Sequence, residues 1–135
     1  MTEENKKYLR TTYSKFITKN CPIDCEDGWF TIIDSLFKTI QYYSINNPKY
    51  GSKLKSLSIA GIKEKFGILS FQRTYVEEFD GLFNFATFLS EAMCETCGST
   101  DNVTQTKGWV VTKCEKCMKK HLGSQGWIKH KESLR

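Results

Sequence analysis

The sequence predicts an α+β fold in which helices pack on a small antiparallel β-hairpin or sheet, followed by a C-terminal four-cysteine zinc ribbon. Three observations predict it. Apolar residues recur with helical spacing over about 3–19, 29–46 and 77–93. Between the second and third of these, about 56–76, the spacing drops to strict alternation, the mark of a half-buried strand. Finally, four of the six cysteines stand as two Cys-x-x-Cys pairs between positions 94 and 117. A chain of 135 residues with 39% apolar and 13% aromatic content can bury a real core, and by size it is one domain with a small appended module. The division expected is an α+β core over 1–93 and a ribbon with a basic tail over 94–135.

In the first segment Leu9, Tyr13, Phe16 and Ile17 share one helical face, with Lys6, Lys7, Arg10 and Lys15 largely elsewhere. Thr2, followed by Glu3 to Asn5, offers start chemistry for this helix. Pro22 and Gly28 in "CPIDCEDG" break the pattern. The second helix is the clearest. Trp29, Ile32, Ile33, Leu36, Phe37, Ile40 and Tyr43 form its apolar stripe, opposite Thr31, Asp34, Ser35, Lys38 and Gln41. Asp27 is placed to cap it, and Asn46-Asn47-Pro48 ends it because proline cannot continue a helix.

Leu57 and Ile59, then Leu69, Phe71, Arg73 and Tyr75, alternate with small or polar residues. Two strands joined around Lys63–Gly67 satisfy this, with Gly67 free to take a positive φ in the turn. A lone hairpin is not stable in water, so it must pack on the second helix or gain a strand. In the third helix Phe79, Leu82, Phe83, Ala86, Leu89 and Met93 make one face, and Phe85, Phe88 and Ala92 extend the apolar surface almost all round. Such a helix is buried on several sides or keeps a face for a partner. It runs into Cys94 with no flexible linker.

The spacing Cys-x2-Cys-x16-Cys-x2-Cys names Cys94, Cys97, Cys114 and Cys117 as ligands. Each tight turn brings two sulfurs to one ion, and two turns complete the tetrahedron that zinc favours. Gly98 follows the first pair, where a positive φ closes the turn and aims N–H groups at sulfur. "GWVVTK" can supply a strand before the second pair, with Trp109 and Val111 on one side. No apolar run reaches the roughly 18 residues of a membrane span, and "MTEENKKYLR" has no apolar segment behind its charges. The expected setting is the reducing cytoplasm, where paired cysteines are metal-binding or catalytic rather than disulfide-bonded. A thioredoxin-like pair would need a βαβ setting and leaves the second pair unexplained. Iron suits the same four-sulfur geometry and stays open. His121, four residues past Cys117, could replace a ligand, but four thiols are complete without it. Cys21 and Cys25 form a poorer pair, Cys-x3-Cys, with nothing nearby to complete a second site. Burial as small apolar residues suits at least one of them.

Four thiolates close the coordination sphere, so the expected metal is one structural Zn²⁺ that staples a segment too small to fold alone. Catalytic zinc would need an open position and a base. The deaminase H-x-E…P-C-x-x-C pattern is missing, as are G-x-S-x-G, the Walker loop and H-E-x-x-H. The expectation is therefore a non-enzyme.

Net charge is +5, unevenly spread. Residues 1–20 carry five basic and two acidic groups, residues 21–106 seven and eleven, and residues 107–135 eight and two. Basic ends are either solvated helix faces or a patch for a polyanion. The candidate contacts for nucleic acid or another partner are Lys113, Lys116, Lys119, Lys120, Trp127 and Lys129, together with Lys63 and Lys65 in the hairpin. The plainer alternative is that Trp127 packs on the ribbon and the lysines only solvate it.

The order of three motifs, "CEDGWFTIIDSL", "IKEKFGILSF" and "CETCG…GWVVTKCEKC", resembles a group of small phage- and bacterium-encoded proteins. They share a Gly-Trp helix start, a Lys-Glu-Lys-Phe-Gly hairpin and a C-terminal zinc ribbon. The resemblance covers about Cys25 to Cys117 and brings no catalytic residues with it. It implies a mobile-element setting, in which small proteins often bind host machinery. The function expected is a non-enzymatic zinc-ribbon binding protein that modulates or inhibits a host nucleoprotein, such as a CRISPR-type defence nuclease. Two alternatives stand beside it. One is direct binding of RNA or DNA in a nucleic-acid or transcription-related role. The other is a small enzyme whose Lys63, Glu64 and Lys65 hold an anionic substrate.

Overall fold

The structure is a computed structural model and describes residues 1–135. It is an α+β fold of five helices, a three-stranded sheet and a two-stranded ribbon. Helix α1 covers Glu3–Thr12 and starts where the Thr2 hydroxyl accepts the Asn5 N–H. It is shorter than the sequence predicts. Beyond Thr12 the N–H groups of Phe16 and Ile17 both turn back to the Tyr13 carbonyl. Ile17 then forms a parallel bridge with Ile59. Leu9, Tyr13, Phe16 and Ile17 are all buried as the spacing demanded, because a turn can put the same residues inward as a helix does.

Strand β1 is only Ile23–Asp24, hidden within a stretch whose proline and glycine mark it as a break. A 3₁₀ turn over Asp27–Trp29 leads into α2, Phe30–Asn46. Asp27 therefore does not cap α2. Its carboxylate accepts the Thr2 N–H and the Asn5 side-chain amide, which ties the start of α1 to this turn. Pro48 does end α2, but it also opens α3, Pro48–Leu54. Proline at the first helical position gives up no hydrogen bond, and the Asn47 side chain caps the new helix through the Lys49 N–H.

Strands β2, Ile59–Lys65, and β3, Ile68–Arg73, pair antiparallel, with Lys65 opposite Ile68. The hairpin thus begins three residues later than the alternation suggests. β1 adds to its free edge in parallel, with Ile23 opposite Ile62. Both conditions for a stable hairpin are met, since β1 extends it and helices cover it. The turn is Phe66-Gly67, with φ of 53° and 78°. Positive φ at both central positions is the type I′ geometry that matches strand twist. Gly67 accepts this freely, whereas Phe66 bears a cost of about 1–2 kcal/mol.

Helix α4, Glu77–Glu91, lies against β3 and α2. A core of 21 buried residues fills the space between these elements, with Trp29, Tyr13, Phe37, Phe79 and Phe83 as its largest fully buried side chains. Phe85 and Phe88 of α4 face solvent. Cys21 and Cys25 belong to the core, and burial raises both thiols, Cys25 to about 12. No helix is long and apolar enough to cross a membrane.

After α4 come β4, Thr104–Gln105, and β5, Thr112–Lys113, paired antiparallel. Helix α5, Glu115–Ser133, closes the chain. The expected basic tail is therefore a 19-residue helix, broken at Gly123 (φ 72°, ψ 176°).

Candidate metal centre

The sulfur atoms of Cys94, Cys97, Cys114 and Cys117 lie within 4.8 Å of one another. Cys97 and Cys114 are 3.7 Å apart at sulfur. That is far beyond a disulfide bond of about 2.05 Å and close to the edge of a tetrahedron with metal–sulfur bonds of about 2.3 Å. The four sulfurs could therefore hold one metal ion. His121 is exposed and not part of the cluster.

Local geometry explains why these positions converge. Gly98 has φ 79° and its N–H donates to the Cys94 carbonyl, closing the first turn as expected. Cys94 in turn donates its N–H to the Ser99 carbonyl. Cys114 is the N-cap residue of α5 and Cys117 lies in that helix's first turn, so the second pair is fixed by a helix start. Burial pushes the Cys94 thiol up, but the N–H groups of Cys114, Cys97 and Thr96 more than reverse this and bring it down to about 7. Burial and the sulfur neighbours raise Cys117 to about 12. For Cys97 the Ser99 N–H favours the thiolate, yet burial and the adjacent sulfurs prevail and raise it. The surroundings thus favour the thiolate at Cys94 and oppose it at Cys97 and Cys117, and a bound cation would supply the compensating positive charge.

The ribbon and the residue before it are seated on the core by three residues of one stretch, Glu26, Gly28 and Trp29. Gly28 donates its N–H to the Glu95 carbonyl at 2.7 Å. Trp29 donates its indole N–H to the Met93 carbonyl at 2.9 Å. Glu26 accepts from the Lys113 ammonium at 2.9 Å and from the Thr96 hydroxyl. On the far side the Thr112 hydroxyl donates to the Gly67 carbonyl, so the ribbon also rests on the tip of the β2–β3 hairpin. Burial pushes the Glu26 carboxyl up, but Lys113 and Thr96 outweigh it and hold the group below its ordinary range. Glu95, more deeply enclosed, is raised by burial.

The predicted contact residues separate into groups. Lys113 is only 6% exposed and is spent on Glu26 and Thr96, so it is unavailable to a solvent-borne partner. This corrects its placement among surface contacts: a partner 87 positions away decides its burial. Lys116, Lys119, Lys120 and Lys129 are exposed on α5. Trp127 is half-buried, with the Lys119 ammonium over its ring at 5.3 Å. This contact spans the bend at Gly123. His130 is buried, and its Nε2 meets the Thr104 hydroxyl at 2.8 Å, pinning the second half of α5 to β4. Lys63 and Lys65 are exposed on β2. Trp109, expected on a strand, instead stands in the turn before β5 and is 87% exposed. The sequence did carry a signal for α5: Glu115 in its first turn and His130 and Lys131 in its last suit the helix dipole.

The backbone angles at Gly123 lie in a region open essentially to glycine alone, and a Cβ there would meet nothing within 4 Å. The conformation, not crowding, demands glycine. Gly123→Ala is expected to lower stability by about 1–3 kcal/mol, seen as a lower denaturation midpoint. Separation of Lys119 from the Trp127 ring should accompany it, as a shift of the Trp127 indole N–H resonance.

Comparison of the chain with protein-family models, with curated proteins and with solved structures finds no match.

Proposed function

We propose that the chain is a non-enzymatic zinc-ribbon binding protein in which one Zn²⁺ orders a basic surface that engages a nucleoprotein. The observation that carries this reading is the coupling of the cysteine cluster to α5. Cys114 caps that helix and Cys117 sits in its first turn, so fixing the ion fixes the direction in which Lys116, Lys119 and Lys120 point. Four thiolates complete a tetrahedral sphere and leave no position for a substrate, which is the arrangement of a structural site. Four thiolates and one Zn²⁺ carry a net charge of about −2. Lys113 beside Cys114 is neutralised by Glu26 and Lys119 is paired with Glu115, so the exposed Lys116 and Lys120 are the cations left to meet an anionic partner.

The finer reading is a mobile-element protein that modulates a host defence nuclease of the CRISPR type. It rests on the order of the Gly-Trp, Lys-Glu-Lys-Phe-Gly and ribbon motifs. Adding the zinc-loaded chain to a reconstituted RNA-guided nuclease tests it. A dose-dependent loss of target binding or cleavage, relieved by Lys116→Glu with Lys120→Glu, supports it. Unchanged cleavage at saturating protein rules out the tested nuclease as target.

A further inference from the structure

The turn Thr106–Trp109 and α5 on both sides of its bend line an open cleft of about 370 Å³. Its walls include Lys107, Lys129, His121, His130 and Trp109, and no carboxylate is among the nine residues that line it. Trp109 is the most exposed large apolar side chain in the chain. The turn that carries it is nevertheless braced. The Thr106 hydroxyl donates to the Trp109 carbonyl at 2.7 Å and accepts the Val111 N–H at 2.9 Å. Gly108, with φ 77°, makes the turn possible. The opposite wall is equally fixed by the His130–Thr104 hydrogen bond. A large apolar ring kept in water on a braced turn, beside four basic or titratable groups, serves no packing purpose within this molecule.

We infer that this cleft binds single-stranded nucleic acid, with one base stacked on the Trp109 indole and the adjoining phosphate among Lys107, Lys129 and His121. The inference deepens the proposed binding role and rests on it. An indole face exposed beside cations matches the two needs of an unpaired strand: a stacking platform and an anion track. Duplex bases are already stacked on one another, so the ring selects for a strand whose bases are free. A volume near 370 Å³ lies at the small end of ligand clefts, about 300–1,000 Å³, which suits one nucleotide unit rather than a helix. Sequence preference is expected to be weak, because every base presents a π-face.

The test uses the full zinc-loaded chain and labelled ten-nucleotide oligo-dT, oligo-U and a duplex of equal length, read by fluorescence anisotropy at low salt. Both single strands, or one of them, should bind more tightly than the duplex. Trp109→Ala should weaken that binding at least about fivefold, the low end for removal of one stacked base. Lys129→Glu should weaken it and flatten the dependence on salt by about 0.7 in the log–log slope for each phosphate no longer neutralised. Zinc content and melting temperature should be unchanged in both variants, since both side chains are exposed. Equal affinity of Trp109→Ala and the wild type overturns the inference. So does binding of the duplex as tight as that of the single strands, or full displacement by a phosphorylated acidic peptide at equal concentration. If Lys116→Glu with Lys120→Glu abolishes strand binding while Trp109→Ala does not, the nucleic acid lies elsewhere on α5. The cleft assignment then fails and the broader binding role stands.

Discussion

Stripping the metal is expected to unfold the last third of the chain and leave the core standing. Apart from its hydrogen bonds to Glu26, Gly28 and the hairpin tip, the ribbon has little else to hold it. Its strands are two residues each, and none of the 21 residues of the apolar core lies beyond Ala86. Structural zinc contributes about 10–16 kcal/mol to the folding of small metal modules near pH 7, far more than two short strands could replace. A strong chelator, or Cys114→Ser, should abolish protection from hydrogen exchange over 94–135 while the amides of α2 and β2–β3 stay protected. Native mass spectrometry should find one Zn²⁺ per wild-type chain. A content well under one, or an unchanged exchange pattern after chelation, would remove the structural-metal reading. The pH dependence has a definite sign. With Cys97 and Cys117 raised in the metal-free cluster, loading must displace their protons. Apparent affinity therefore falls as pH falls, and proton release on loading should be measurable by titration in weak buffer.

Gly28→Ala is expected to be as damaging by an independent route. A Cβ at this position would lie 2.1 Å from the Cys94 carbonyl oxygen and 2.3 Å from that of Glu95. Both are backbone atoms, so no side chain can swing aside. The Gly28 N–H bond to Glu95 would be broken with the approach. Destabilisation beyond about 4 kcal/mol is the expected range for such a clash, read as the shift in a urea midpoint. The zinc content of the variant should remain near one per chain, because the cysteines themselves are untouched. Limited proteolysis should then cut near residue 94, where the wild type resists. Full wild-type stability would mean that the ribbon can sit further from the core than the structure shows.

These two positions show what the sequence could and could not convey. The cysteine spacing was legible because two Cys-x-x-Cys turns impose their own geometry locally. α2 and the β2–β3 hairpin were legible for a similar reason: a buried face writes its period into consecutive residues. Gly28 reads only as a helix breaker, since its close approach to Glu95 depends on chain far along the sequence. β1 was invisible because two residues carry no period, and its partner Ile62 follows an intervening helix pair. α5 was blurred by Gly123, Ser124 and Gly126, which dilute its pattern where the helix bends. Lys113 looked like its neighbours in a basic run, and only the position of Glu26 buries it.

The indole bond from Trp29 to Met93 sets a schedule as well as a contact. Trp29 is fully buried at the heart of the core, yet its N–H partner lies 64 positions later. At about 5–20 residues per second on a ribosome, α2 emerges roughly 3–13 s before the carbonyl that completes its first turn's surroundings has been made. The last seat of the assembly, Lys113 against Glu26, forms later still. A newborn chain therefore carries an amphipathic helix without its cover for several seconds, and its interior closes only when α4 and the Met93 carbonyl that follows it have been synthesised and folded back.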